Sequence, residues 1–177
     1  MGNVSTLPYQ KLVWLLPAVL TIHELEEWNI KEWNTANFIG TPDTPDSAVR
    51  VLLVLVSIAG FLVTAIACAF SSSTKTAYIT LTFFILVAFN NSLQHLFWQL
   101  YWGAYAPGVL AAAFLNVPAI LLLSWHALKN RLVSPLYIAI LYTTAVPALY
   151  LTFRQGRQFP EVMAKGHEFG VNIINLF

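Results

Sequence analysis

Apolar residues run along this chain in five long stretches, at about 7–28, 48–70, 76–102, 107–128 and 132–153. Each is close to the roughly 20 residues that a helix needs to cross about 30 Å of hydrocarbon. The pattern predicts an all-α integral membrane bundle of five transmembrane helices, forming a single domain over 1–177, with a mixed tail over 154–177. The second stretch is the cleanest, with no charge after Arg50. The fifth has Pro135 near its start and Pro147 inside it, which predicts a kink. Polar joints separate the stretches: Asn37 to Ser47, the serine run Ser71 to Ser73, Gly103 to Ala106, and Lys129 to Arg131. Asp46 or Ser47 is expected to cap the second helix. The tail reads as a mixed segment suited to a short interfacial helix.

Lys11 ahead of the apolar run Leu12 to Ile22 has the look of a secretory signal. The residues that follow, HELEEW, offer no small-residue cleavage site, so the first stretch is expected to remain as a helix.

Composition agrees with a membrane location. Hydrophobic residues make up 58% of the 177 positions and charged residues 10%, against about 45–50% and about 25% in soluble domains. Disordered chains, nucleic-acid binders and ordinary soluble enzymes are excluded by that balance. The single cysteine, Cys68, permits neither an internal disulfide nor a cysteine-based zinc site.

Five crossings place the termini on opposite faces. The N-terminal face carries Lys11, Lys75, Lys129 and Arg131 and no acid. The other face carries Lys31, Arg50, Arg154, Arg157, Lys165 and all eight carboxylates. Counted by Lys and Arg the two faces nearly tie. The unmixed positive loops mark the N-terminal face as the expected cytoplasmic one.

The first and third stretches both stop being apolar too early. The run Leu12 to Ile22 covers about half of the hydrocarbon at about 1.5 Å per residue. His23, Glu24, Glu26 and Glu27 follow it. In the third stretch, Ala77 to Phe89 is followed by Asn90, Asn91, Ser92, Gln94 and His95. Both polar ends point to the acidic face, so His23 and His95 lie at similar depth. His23, Glu26 and Glu27 share a helix face by their i, i+3 and i, i+4 spacing, with Glu24 on its shoulder. Asn91, His95 and Gln99 form a second stripe, flanked by Trp98 and Trp102. Carboxylates at membrane depth are costly and normally face the bundle interior with partners. The two stripes are therefore expected to face each other.

Three chemistries fit such a cluster. One is a divalent metal, zinc or iron, held by His23, His95 and Glu27 or Glu26, the remaining glutamate carrying protons. Another is metal-free acid–base work by the same His and Glu side chains. The third is a polar network that only fixes helix packing. Asn91 and Asn116 are added as catalytic candidates with Glu26 and Glu27; Asn116 lies mid-membrane, where it needs a partner or a substrate. His126 lies at the far end and reads as interfacial. His167 and Glu168, in the tail, stand on the correct face, and a tail folded back as a lid would bring His167 near. Ser57, Gly60, Thr64 and Cys68 form a small-residue stripe for close packing. Trp28, Trp33, Trp98, Trp102, Tyr101 and Tyr105 read as an interfacial belt or as the wall of a pocket.

The sequence His23-Glu24-Leu25-Glu26-Glu27 reads H-x-x-E-E and resembles the HXXEE-motif family of small multi-pass membrane proteins. The resemblance marks His23, Glu26 and Glu27. It extends to the polar part of the third stretch and to Pro107-Gly108 and Asn116. It implies a multi-pass protein of the bacterial cytoplasmic membrane and supplies no reaction. From the residues, the expected function is a small membrane enzyme acting on a lipophilic substrate, with the lipid bilayer and a lipophilic small molecule as partners and no nucleic acid. A metal-free isomerase or cyclase, similar in layout to the five-helix sterol-isomerase-like membrane proteins, is the alternative. A transporter or binding subunit that carries a proton or metal ion is the other.

Overall fold

A computed structural model describes residues 7–103 and 105–176. They are mostly helical, with short joints and one isolated bridge between Ile39 and Gln158. Four helices are long and apolar enough to cross a membrane: α4 (Asp46–Phe70), α5 (Ser73–Trp102), α6 (Val109–Lys129) and α7 (Pro135–Gln155). This is compatible with a multi-pass membrane protein. Their outer faces carry large apolar side chains, with Phe70 83%, Phe114 72% and Leu136 70% exposed. Apolar surface on that scale is stable against lipid, not against water.

The first stretch departs from the expected single helix over 7–28. It divides into α1 (Tyr9–Leu12) and α2 (Leu15–Glu26), and a separate helix, α3 (Ile30–Asn37), follows it. Pro17 is the physical cause: it has no N–H to offer the Val13 carbonyl. That carbonyl instead takes the Leu16 N–H at 3.0 Å, which tightens the chain by a residue. At about 1.5 Å per residue, α2 alone is about 18 Å long, too short to be a crossing by itself.

The proline in α7 acts as its position predicts. Pro147 cannot donate to Thr143, and the helix breaks at Thr144, where the backbone N–H bonds Leu141 at 3.1 Å. Ser134 caps this helix through the Tyr137 N–H at 3.1 Å. Helix α4 lacks the expected side-chain cap, because Pro45 takes the cap position and Asp46 is already helical. The Asp46 carboxylate faces Lys31 and Arg50 at 3.7 Å each.

Two helices contain a π turn, at Ile85–Phe89 in α5 and at Ala112–Asn116 in α6. Each immediately precedes or ends on an asparagine within a long apolar helix. Pro118, two residues past the second turn, accounts for that one, since its missing N–H disfavours a regular α-helical ladder there.

The core is built around α2. Leu16, Leu20, Leu81, Phe84, Ile85 and Leu123 are fully buried between α2, α5 and α6. Gly60 of α4 admits α2 closely: a side chain there would stand 3.2 Å from Leu20. The tail forms α8 (Glu161–Ile174), which lies along α4. A Cβ on Gly170 would sit 2.2 Å from the Ala48 carbonyl oxygen, so glycine is what lets the two helices touch. The Ile39–Gln158 bridge pins the tail to the α3–α4 connection, with N–H to O distances of 2.7 and 2.9 Å.

Candidate functional site

The end of α2 carries His23, with Glu27 one helical turn on at its C-cap, and the polar half of α5 brings His95 against them. Glu27 Oε1 lies 2.8 Å from His23 Nε2 and 2.8 Å from His95 Nε2. The imidazole rings are perpendicular, with centroids 5.1 Å apart. All three side chains are buried. Despite the short distances, Oε1 receives no well-aligned hydrogen bond among the described residues.

Gly108 fixes the tautomer of neutral His23. Its carbonyl oxygen lies 2.9 Å from Nδ1 and can only accept, so Nδ1 carries the hydrogen and Nε2 of the neutral ring is bare. A backbone carbonyl on the far nitrogen is also how metal-ligating histidines are held. Gly108 has φ +89°, and a Cβ there would stand 2.7 Å from Glu27 Oε1 and 2.8 Å from His23 Cε1. Glycine is thus required twice over, for the backbone conformation and for the space.

The Asn91–His95–Gln99 stripe binds the same structure at three levels. Asn91 Nδ2 lies 3.1 Å from His23 Nε2. His95 meets Glu27, and Gln99 Oε1 accepts from the Ala106 N–H at 3.1 Å, holding the loop that delivers Gly108. Their spacing puts these residues on one face, and that face meets the end of α2 and the loop before α6.

The glutamates of the motif divide. Glu27 joins the histidines. Glu26 turns to the next helix and accepts hydrogen bonds from the Tyr105 hydroxyl and from the N–H groups of Leu110 (3.1 Å) and Ala111 (2.7 Å). A carboxylate on the open N–H groups of a helix start is favourable for both hydrogen bonding and the helix dipole. Burial, reinforced by the Glu26 carboxylate, pushes the Tyr105 hydroxyl up to about 12. Glu24 faces α4, where it lines an apolar cleft of about 260 Å³ with Thr21, Trp28, Ser57 and Phe61.

Asn116 ends the π turn of α6, which packs against α2 and the polar half of α5. Its side chain is fully buried, and neither amide atom has a partner among the described residues. His167 does not enter the cluster. It lines a small cavity of about 130 Å³ whose wall also includes Glu27 and Asn34, and its Nδ1 lies 3.2 Å from Thr44 Oγ1. Burial, and secondarily the charge of Lys31, holds the His167 imidazole below its ordinary value of 6.5. His126 lies 3.0 Å from the Leu7 carbonyl through Nε2, a packing contact at the other end of the bundle. Trp33, Trp98, Trp102, Phe38 and Phe159 pack on one another as a second, aromatic core beside the site.

The donor set suits a divalent cation. Metal bonds of about 2.0–2.2 Å in tetrahedral geometry put ligand atoms about 3.3 Å apart. Here the three ligand atoms all lie within 4.8 Å of one another, with two contacts at 2.8 Å. Moving Glu27 about half an ångström from each imidazole brings those two contacts to that spacing.

No curated protein and no solved structure matches the chain. A family model does, over residues 14–123, a span that holds His23, Glu27, Asn91, His95, Gly108 and Asn116. The chain belongs to the family described as "Protein of unknown function with HXXEE motif", and His23, Glu26 and Glu27 are its H, E and E.

Proposed function

We propose that this chain is a small integral membrane enzyme that acts on a lipophilic substrate at a divalent metal, zinc or iron, held by His23, Glu27 and His95. The observation that carries the reading is the buried convergence of the three donor atoms, with Nε2 of neutral His23 left unprotonated by the Gly108 carbonyl on Nδ1. Two lone pairs, on Nε2 and on Oε1, stand 2.8 Å apart there. Such a contact is repulsive unless a proton sits on Nε2 or a cation lies beside it.

When bound, the metal polarises an oxygen of the substrate or lowers the pKa of a water. The chain's own residues do the rest. Gly108 orients His23, Glu27 supplies the negative charge, and Asn91 places an amide N–H beside the reacting position. Asn116, with both amide atoms open, is suited to hold a substrate oxygen or hydroxyl. Glu26 has its carboxylate committed to the start of α6, so its part is to position the loop.

Beyond the four long helices, α1 and α2 together form an interrupted fifth crossing. The burial of α2 among α4, α5 and α6 supports this, since it lies at the depth of its neighbours. The bacterial cytoplasmic membrane is the proposed location. Fully buried Leu16, Leu20, Leu81, Phe84 and Leu123 fill the bundle on the N-terminal side of the site. A plug of this kind supports an enzyme over a transporter.

One observation favours a second reading, metal-free acid–base catalysis. The Asn91 amide already satisfies His23 Nε2, and His95 Nε2 stands beside the Glu27 carboxylate. A His–Glu pair in that contact can pass protons unaided.

Metal analysis of purified chain, before and after reconstitution with zinc or iron, tests the proposal. The expected result is about one equivalent per chain, lost in His23→Ala and His95→Ala. Absence of stoichiometric metal in both preparations overturns the metal centre in favour of the acid–base reading.

A further inference from the structure

A cavity of about 830 Å³ opens beside the site, between α5, α7 and the start of α8. Its volume is within the roughly 300–1,000 Å³ of small-molecule sites. Leu86, Val87, Leu149 and Leu151 form its apolar walls. A row of neutral polar groups runs through it: Asn90, Asn91, Gln94, Thr152 and Gln155. Asn91 is the link to the reaction centre, because it lines the cavity and its amide lies 3.1 Å from His23 Nε2.

The polar row has a definite demand. The Asn90 amide donates to Thr144 Oγ1 at 3.2 Å, while its Oδ1 is buried with no partner among the described residues. Gln94 donates to Thr152 Oγ1 at 3.2 Å. A buried, unpartnered amide oxygen calls for a hydrogen-bond donor, and a hydroxyl in the cavity supplies one once the Asn90 amide turns toward it. The lining includes no Lys, Arg or His, and its one ionisable residue, Glu161, is paired with Lys165 at 2.7 Å. A phosphate or carboxylate entering here would lose its water and meet no cation.

We infer that this cavity is the substrate groove, and that it takes an uncharged amphiphile: an acyl or alkyl chain against the leucine walls and a hydroxyl-bearing head on Asn90 and Gln94, next to Asn91. The assignment rests on the reading of His23, Glu27 and His95 as the reaction centre. The two helix irregularities make the groove. The π turn at Ile85–Phe89 sets the register of Asn90 and Asn91, and the break at Thr144 bends α7 beside them.

The test uses the full chain in lipid nanodiscs and a monoacylglycerol carrying a diazirine in its chain. Labelled peptides are mapped by mass spectrometry. Saturable labelling around Leu86–Val87 and Leu149–Leu151 is expected. Unlabelled monoacylglycerol should compete at least tenfold better than an alkyl phosphate or an alkyltrimethylammonium of equal chain length. Asn90→Leu and Gln94→Leu should each lower saturable labelling at least fivefold. Should either variant fail to fold by circular dichroism, the competition order on the unaltered chain decides alone. Non-saturable labelling over the whole lipid face, or charged chains competing equally, overturns the inference. Saturable, neutral-selective labelling of protein that binds no zinc upholds the groove and overturns only the metal centre. One equivalent of zinc with non-saturable labelling does the reverse.

Discussion

Replacing Gly108 by alanine tests whether the loop before α6 holds the site together. The residue has φ +89°, a conformation that costs an L-amino acid about 1–2 kcal/mol. The new methyl would lie 2.7 Å from Glu27 Oε1, 2.8 Å from His23 Cε1 and 3.0 Å from Glu27 Cγ. Overpacking of this kind costs about 1–3 kcal/mol. The two effects together come to about 2–5 kcal/mol. The bundle can relieve the strain by moving the loop away, which breaks the hydrogen bond from His23 Nδ1 to the Gly108 carbonyl. The cost then appears as weaker metal binding. At about 1.4 kcal/mol per tenfold, zinc affinity is expected to fall by about 30-fold to a few thousand-fold. The assay is competition against a chromophoric chelator, with helix content followed by circular dichroism. Gly103→Ala is the control: it also has positive φ, at +66°, but nothing lies within 4 Å of its Cβ. It should lose some stability and keep its affinity. Gly108→Ala binding zinc within threefold of the unaltered chain, at an unchanged melting temperature, would refute the reasoning.

Further outcomes follow from the same contacts. Glu27→Gln should weaken zinc binding at least 100-fold, more than the roughly 10–100-fold typical of losing an outer hydrogen-bond partner, as read by the same chelator competition. Spectrophotometric titration of the tyrosines should show one hydroxyl, absent in Tyr105→Phe, that ionises near pH 12 and moves down in Glu26→Gln. Gly170→Ala places a methyl 2.2 Å from the Ala48 carbonyl and should release α8, seen as faster hydrogen exchange over Glu161–Ile174. Docking of α8 should also depend on pH. His167 is held below 6.5 when docked, so the undocked tail binds the proton more readily. Protection is therefore full above about pH 6.5 and declines as the pH falls below it; equal protection at pH 7.5 and 5 would contradict the assignment.

Much of the site was legible because helical geometry ties spacing to direction. The i, i+4 pair His23 and Glu27, and the stripe Asn91–His95–Gln99, needed only period and depth to be placed face to face. The same reasoning did not separate Glu26 from Glu27. Both share a face with His23, but they diverge by about 100° from each other, and only the position of the next helix start decides which carboxylate it captures. Gly108 carries no side chain to announce its role, and its carbonyl acts through the fold of a loop. The π turn at Ile85–Phe89 has no proline or glycine near it and could not be read. The one at Ala112–Asn116 had a signal in Pro118. Pro17 was likewise a signal, and reading the first stretch by hydropathy alone passed over the missing N–H that divides it. The spacing of Gly166 and Gly170 lay outside every predicted crossing, and its use became visible only once α8 lay on α4.

X-ray absorption at the K-edge of metal bound to the purified chain examines the central claim most directly. The account predicts a first shell of two imidazole nitrogens and at least one carboxylate oxygen at about 2.0–2.2 Å, with one imidazole lost in His95→Ala and the oxygen shell altered in Glu27→Gln. A shell without imidazole scattering, or one unchanged in both variants, would contradict it.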